Sequence, residues 1–142
     1  EHMPAPFTQP WADAFKAAIN ADADYKKHAS GWTWPVGLLL DPPRPDLGYP
    51  APVVVDVALD RGTAHDARVV PGDASTAEVL LGADWETWKQ VVKGTLDPVA
   101  GVATGRLRLV RGSLMTLMMQ TGAAKALVHV ASKVPTEFPD EA

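Results

Sequence analysis

The sequence predicts an α+β domain, because two hydrophobic periods alternate along one chain. Five short segments carry apolar residues at every second position. The segments around them carry apolar residues at every third or fourth position, behind good helix-capping residues. The chain has 142 residues, which suits one domain and is too short for two ordinary ones. Pro42, Pro43, Pro45, Pro50 and Pro52 mark a central loop, but neither flank is long enough to build a core alone. The expected layout is a cloning remnant and disordered start over 1–6, a single domain over 7–134, and a loose tail over 135–142.

The first helix is announced by Thr8 as N-cap and Pro10 in the first turn. Trp11, Phe15, Ile19 and Asp22 follow at steps of four, four and three, with Ala18 and Tyr25 beside them, and Ser30-Gly31 closes the pattern. Trp32, Trp34, Val36, Leu38 and Leu40 then alternate. Pro35 inside that run predicts an edge strand or a bulge. Val53, Val55, Val57 and Leu59 give a second strand, and Asp60-Arg61-Gly62-Thr63 a hairpin turn into a third near His65 to Val70. Ala77, Val79 and Leu81 give a fourth.

Helical chemistry resumes at Asp84, an N-cap for Trp85, Trp88, Val91 and Val92, with Gly94 at the C-terminal end. Asp97-Pro98 opens a short helix that Gly105 closes. Leu107 and Leu109 alternate with Arg106 and Arg108 as a fifth strand. From Ser113 to about Lys133 one long helix is expected, apolar on nearly every side: Leu114, Leu117, Leu127 and Val128 form a stripe that Met115, Met118, Met119, Ala126 and Val130 broaden. A helix apolar all round is fully buried or faces something apolar on its second side. The methionines either fill an irregular core or border a ligand cavity.

Composition narrows the chemistry. Hydrophobic residues make up 46% and charged residues 21% of the chain, a globular balance. The formal charge of −4 argues against a nucleic-acid partner or an anionic membrane held by bulk electrostatics. The sequence has no cysteine, so disulfides, thiol nucleophiles and cysteine-ligated metals are excluded. No apolar run approaches the roughly 20 residues of a spanning helix, and no signal-peptide plan is visible, so cytoplasm is the expected location.

No catalytic residue is assigned. Gly-x-Ser-x-Gly, a phosphate loop and a dinucleotide fingerprint are all missing. Of the four histidines, His2 belongs to the remnant, His28 pairs with Asp24 at helical spacing, and His65-Asp66 point to opposite faces of a strand. His129, on the apolar last helix, reads as a satisfied structural histidine rather than a buried switch. Asp56 and Asp60 read as a solvated strand face, and Arg106, Arg108 and Arg111 as exposed strand charges. No metal and no cofactor are expected.

The stretch Trp88-Lys89-Gln90-Val91-Val92-Lys93-Gly94-Thr95-Leu96-Asp97-Pro98-Val99-Ala100, followed by Gly105-Arg106-Leu107-Arg108-Leu109-Val110-Arg111-Gly112-Ser113-Leu114, resembles the sterol carrier protein type 2 family. That family joins a helix ending in Lys-Gly to a Leu-Asp-Pro step, a small-residue helix, a Gly-Arg-Leu strand and an apolar helix. The resemblance, to stand-alone bacterial members, runs from about Phe7 to Val134 and is most specific from Trp85 to about Leu117. The chain ends Asp140-Glu141-Ala142, without the peroxisomal address of other members.

The resemblance implies a five-stranded sheet covered by helices, an apolar tunnel between them, and non-catalytic binding or transfer of fatty acids, fatty acyl thioesters or sterol-like molecules. The alternative is an enzyme or accessory subunit holding an apolar substrate in the same cavity. A third reading is a structural domain whose cavity is filled by its own side chains. The expected pocket is bounded by Trp85, Trp88 and Val92 and by Leu114, Met115, Met118, Met119 and Leu127. The last helix is expected to act as a mobile cover weakened at Gly122. Lipid is the expected partner, without nucleic acid or stable membrane insertion, and a homodimer is left open.

Overall fold

The structure is a computed structural model that describes residues 3–141; Glu1 and His2, read above as a remnant, lie outside the described residues. One five-stranded mixed sheet has the order β3-β2-β1-β4-β5. Its strands are β1 (Val36–Leu40), β2 (Val53–Asp60), β3 (Thr63–Pro71), β4 (Val79–Ala83) and β5 (Arg108–Arg111). β1 lies parallel to β4, and the other pairs are antiparallel. The β2–β3 turn is the expected one. Arg61 and Gly62 have φ of 49° and 88°, so two successive residues take the positive φ of a tight hairpin.

β1 is the central strand, which corrects the expectation of an edge. Pro35 precedes it, and its carbonyl accepts from Val79 N at 3.0 Å. A proline just ahead of a strand forfeits no ladder hydrogen bond. The alternating tryptophans lie outside the strand.

Among the described residues six α-helices complete the fold: α1 (Gln9–Ala21), α2 (Ala23–His28), α3 (Trp85–Val92), α4 (Pro98–Ala103), α5 (Leu114–Met119) and α6 (Thr121–Lys133). The two long helical segments expected from periodicity are each broken once. Asp22 leaves helical geometry at φ −96° and ψ 107°, and its carboxylate accepts from Tyr25 N at 2.7 Å, capping α2. Gln120 interrupts the helix between α5 and α6, at φ −112° and ψ 35°. The predicted caps of α3 and α4 are present: Asp84 accepts from Thr87 N at 2.9 Å and Asp97 from Ala100 N at 3.1 Å.

One sheet face carries the main core, where Val36, Leu40, Val55, Val57, Leu81 and Ala83 meet the helices. The opposite face holds a small cluster of Leu39, Val54 and Leu80. There Asp56 is not merely solvated: it accepts from Ser75 Oγ at 2.6 Å and Thr76 N at 3.1 Å, folding the loop before β4 onto the sheet.

The free edge of β3 is closed by α1. Asn20 donates to Ala64 O at 2.9 Å and accepts from Ala64 N at 2.8 Å. Gln9 donates to Ala67 O at 2.9 Å and accepts from Val69 N at 3.0 Å. Each amide thus imitates a stretch of neighbouring strand. At the opposite edge Arg108 donates to Asp41 O at 2.8 Å and Arg111 to Ser75 O at 2.9 Å. Charged residues on an edge strand also discourage pairing with other chains.

Contacts run across the expected boundaries at 7 and 134. Thr136 Oγ1 accepts from Trp11 Nε1 at 2.9 Å, and Glu137 N donates to Pro4 O at 3.0 Å. Phe138 meets Trp85 edge to face, and Asp140 pairs with Lys89 at 2.6 Å.

Asn20→Ala is expected to destabilise the domain by about 1–3 kcal/mol, since two edge groups of Ala64 lose their partners. Urea unfolding should show a lower midpoint at unchanged slope, and amide exchange should rise selectively in β3.

Candidate functional site

The site grows from the parity of the strands. Leu38 stands in register between Val55 and Leu81, and Val36 between Val57 and Val79. Val36, Leu38, Leu59, Val79 and Leu81 form the floor of a cavity between sheet and helices, with a volume of about 50 Å³. Phe15 of α1, Tyr25 of α2, Trp32 and Leu107 form its sides. Trp88 and Val91 of α3, Pro98 of α4 and Leu117 of α5 close further sides. The roof is α6, through Ala123, Ala124, Leu127, Val128 and Ala131.

Two tryptophans of this wall are fixed by backbone carbonyls. Trp88 Nε1 donates to Leu39 O and Trp32 Nε1 to Trp34 O, each at 2.7 Å. Their rings are therefore held in place and their N–H groups are committed.

Of the residues expected at the pocket, Trp88 and Leu127 line the cavity and the others do not. α3 turns about 100° per residue, so its apolar face is wider than the cavity. Trp88 and Val91 face inward. Trp85 turns instead to an aromatic cluster at the domain end, 5.5 Å from the Tyr49 ring and 6.2 Å from Phe138. Val92 is buried without reaching the cavity.

The residues of α5 show the largest departure. Leu114, Met115, Met118 and Met119 are 46%, 67%, 56% and 76% exposed, and only Leu117 of that helix is buried. The cause is the break at Gln120. A continuous helix would have carried the stripe of α6 through α5, whereas the turned axis of this six-residue helix leaves one side chain facing inward. Gly122 is not a weak midpoint either. It lies in the first turn of α6, where an added Cβ would stand 3.4 Å from His28 Nδ1.

Sequence reasoning did not single out the other lining residues, among them Phe15, Tyr25, Trp32, Val91, Leu117 and Ala123, Ala124 and Ala131 of α6. Helical spacing marks Phe15, Tyr25 and Val91 only as core, and the cavity opens inside that core.

Burial pushes the Tyr25 phenol well above its ordinary range. Tyr49, whose hydroxyl donates to Pro6 O at 2.5 Å, is pushed up to about 12, by burial first and the Asp140 charge second. His28 lies 3.5 Å from Asp24 on an exposed helix face, and His129 and His65 are exposed. A second cleft, of about 430 Å³, is polar and is lined by Thr95, Asp97, Lys125, His129 and Ser132 with Val128. Among the described residues no helix is long and apolar enough to cross a membrane.

No protein-family model matches the chain, and neither does any curated protein. Solved structures do match. A crystal structure of sterol carrier protein 2 is 35% identical, covering 91% of this chain and 98% of that one, with a TM-score of 0.86. The solution structure of a conserved protein of Thermus thermophilus is 32% identical, covering 96% and 97%, with a TM-score of 0.85. Sterol carrier protein 2 of Yarrowia lipolytica, in its apo form, shares the fold at 15% identity, covering 85% and 88%, with a TM-score of 0.53.

The two tyrosines imply alkaline sensitivity. A phenol whose folded pKa is raised contributes stability that is complete below the unfolded value near 10. It is lost as pH climbs toward the folded value, about 12 for Tyr49. The urea midpoint should therefore fall between about pH 10 and 12, with tyrosinate absorbance appearing as the protein unfolds.

Proposed function

This chain belongs to the sterol carrier protein 2 family, and on that premise we propose that it binds apolar lipids between sheet and helices and carries them without catalysis. The ligand class is fatty acids, fatty acyl thioesters or sterol-like molecules. The observation that carries this reading is the cavity wall: its side chains are aliphatic or aromatic, and Tyr25 supplies its one hydroxyl. Such a wall recognises hydrocarbon and offers no nucleophile paired with a base. The protein works in the cytoplasm, with lipid as its partner.

A volume of about 50 Å³ is room for a few water molecules, far less than a lipid needs. Ligand entry must enlarge the cavity, and α5 is the element that yields most cheaply. Its inward contact is Leu117, and exposing one leucine costs roughly 1.5–3 kcal/mol. Rolled over a bound ligand, α5 brings Leu114, Met115, Met118 and Met119 inward beside Leu127. Their flexible thioether chains repack around hydrocarbon of different shapes. Trp88 forms the opposite wall, while Trp85 and Val92 support α3 from behind. The mobile cover is thus α5 alone, and α6 remains a wall.

Ala124→Phe, which fills the cavity from α6, is expected to weaken binding of a fluorescent acyl probe at least about tenfold while the fold persists. Full affinity in the folded variant overturns the cavity as the binding place. Hydrogen exchange with and without the probe should show protection gained over 114–120 and little change in β2. Exchange over 114–120 as slow as in β2, and unchanged by the probe, excludes α5 as the cover.

A further inference from the structure

The polar chemistry of the cavity is concentrated in one atom. Tyr25 is 1% exposed and lines the cavity from α2. Its backbone is held in place, because Asp22 caps α2 by accepting from Tyr25 N at 2.7 Å. The two indole N–H groups of the wall are committed to the carbonyls of Leu39 and Trp34. None of the hydrogen bonds among the described residues involves the Tyr25 hydroxyl, and desolvation alone raises its pKa. A buried tyrosine hydroxyl normally finds a partner, because leaving one unpaired is costly.

Building on the lipid-carrier reading above, we propose that the Tyr25 hydroxyl is the polar anchor of the cavity and selects a neutral, oxygen-bearing lipid. It donates a hydrogen bond to the hydroxyl oxygen of an alcohol or sterol, or to the carbonyl oxygen of an ester or thioester. The wall contains no lysine, arginine or histidine. An ionised carboxylate drawn inside would lose its hydration and meet one neutral donor, so fatty-acid anions are disfavoured. A neutral oxygen has a smaller desolvation cost and satisfies the phenol. The phenol stays protonated, and therefore a donor, throughout the neutral range.

The test compares dodecanol, dodecane and dodecanoate by displacement of a fluorescent acyl probe from delipidated protein and from Tyr25→Phe. Removing an unpaired buried hydroxyl leaves the fold intact, which thermal unfolding verifies. Dodecanol should bind the wild type about 3- to 10-fold more tightly than the variant, and dodecane should bind both alike. At about pH 8 dodecanoate should bind the wild type more weakly than dodecanol. Equal dodecanol affinity for wild type and variant, or equal losses for dodecanol and dodecane, overturns the anchor and leaves the carrier reading standing. Dodecanoate as tight as dodecanol overturns the preference for neutral lipids. Failure of the wild type to bind the probe or any of the three overturns the carrier reading itself.

Discussion

The amides of Gln9 and Asn20 hold α1 along the free edge of β3, and the helical layer is built outward from that contact. An edge strand leaves backbone groups unpaired, and side-chain amides satisfy them while fixing the helix in register with the sheet. Phe15 then reaches the cavity from the middle of α1. Asp22, where α1 ends, caps α2 and also accepts from Lys133 of α6 at 3.3 Å. Trp11 reaches Thr136 beyond α6. One helix clamped to one strand therefore positions Tyr25 and the C-terminal end of the roof.

A void survives in this core because its two sides are built from opposite kinds of residue. Trp32 and Trp88 are large, rigid and pinned by their N–H groups, so they cannot swing inward to fill space. Facing them, α6 presents Ala123, Ala124 and Ala131, which are too short to reach. At about 24 cal/mol per Å³, an empty volume of about 50 Å³ forgoes roughly 1 kcal/mol. That cost is modest, and it keeps an apolar space into which hydrocarbon can be admitted without first breaking polar contacts.

Local signals made most of this fold legible. Asp84 and Asp97-Pro98 cap helices wherever they stand, and Arg61-Gly62 can take the two positive φ values of a tight turn, so these elements fall where local chemistry puts them. The breaks at Asp22 and Gln120 were hidden because hydrophobic spacing continues across both. A stripe records which residues are apolar, not whether the backbone between them stays helical. The placement of the candidate site residues follows the same logic. The stripe on α3 is buried as its spacing predicts, but only its Trp88 and Val91 side meets the cavity, while Trp85 serves the aromatic cluster with Tyr49 and Phe138. The packing of the last residues was invisible for a different reason: Pro135 and Pro139 discourage regular structure, yet a proline-bound segment can still seat Phe138 and Asp140.

The proposed division between a fixed roof and a movable flap rests on the contacts at the α5–α6 junction. An added Cβ at Gly31 would stand 3.4 Å from Gln120 Nε2, and one at Gly122 would stand 3.4 Å from His28 Nδ1. The junction thus lies against the end of α2 and the turn that follows it. Past the junction α6 buries Ala123, Ala126, Val130 and Ala131 and is tied to Asp22 through Lys133. Before it, α5 has Leu117 and little else inside. Thr121 Oγ1 donates to Met118 O at 2.7 Å and Gln120 N to Thr116 O at 3.0 Å, so the link between the helices is itself well bonded. Under the proposed carrier function, the motion required is rotation of a short, capped helix about this junction. Under that proposal, opening exposes one leucine and closing covers the ligand with three methionines, so the free energy of lipid burial would drive the closure.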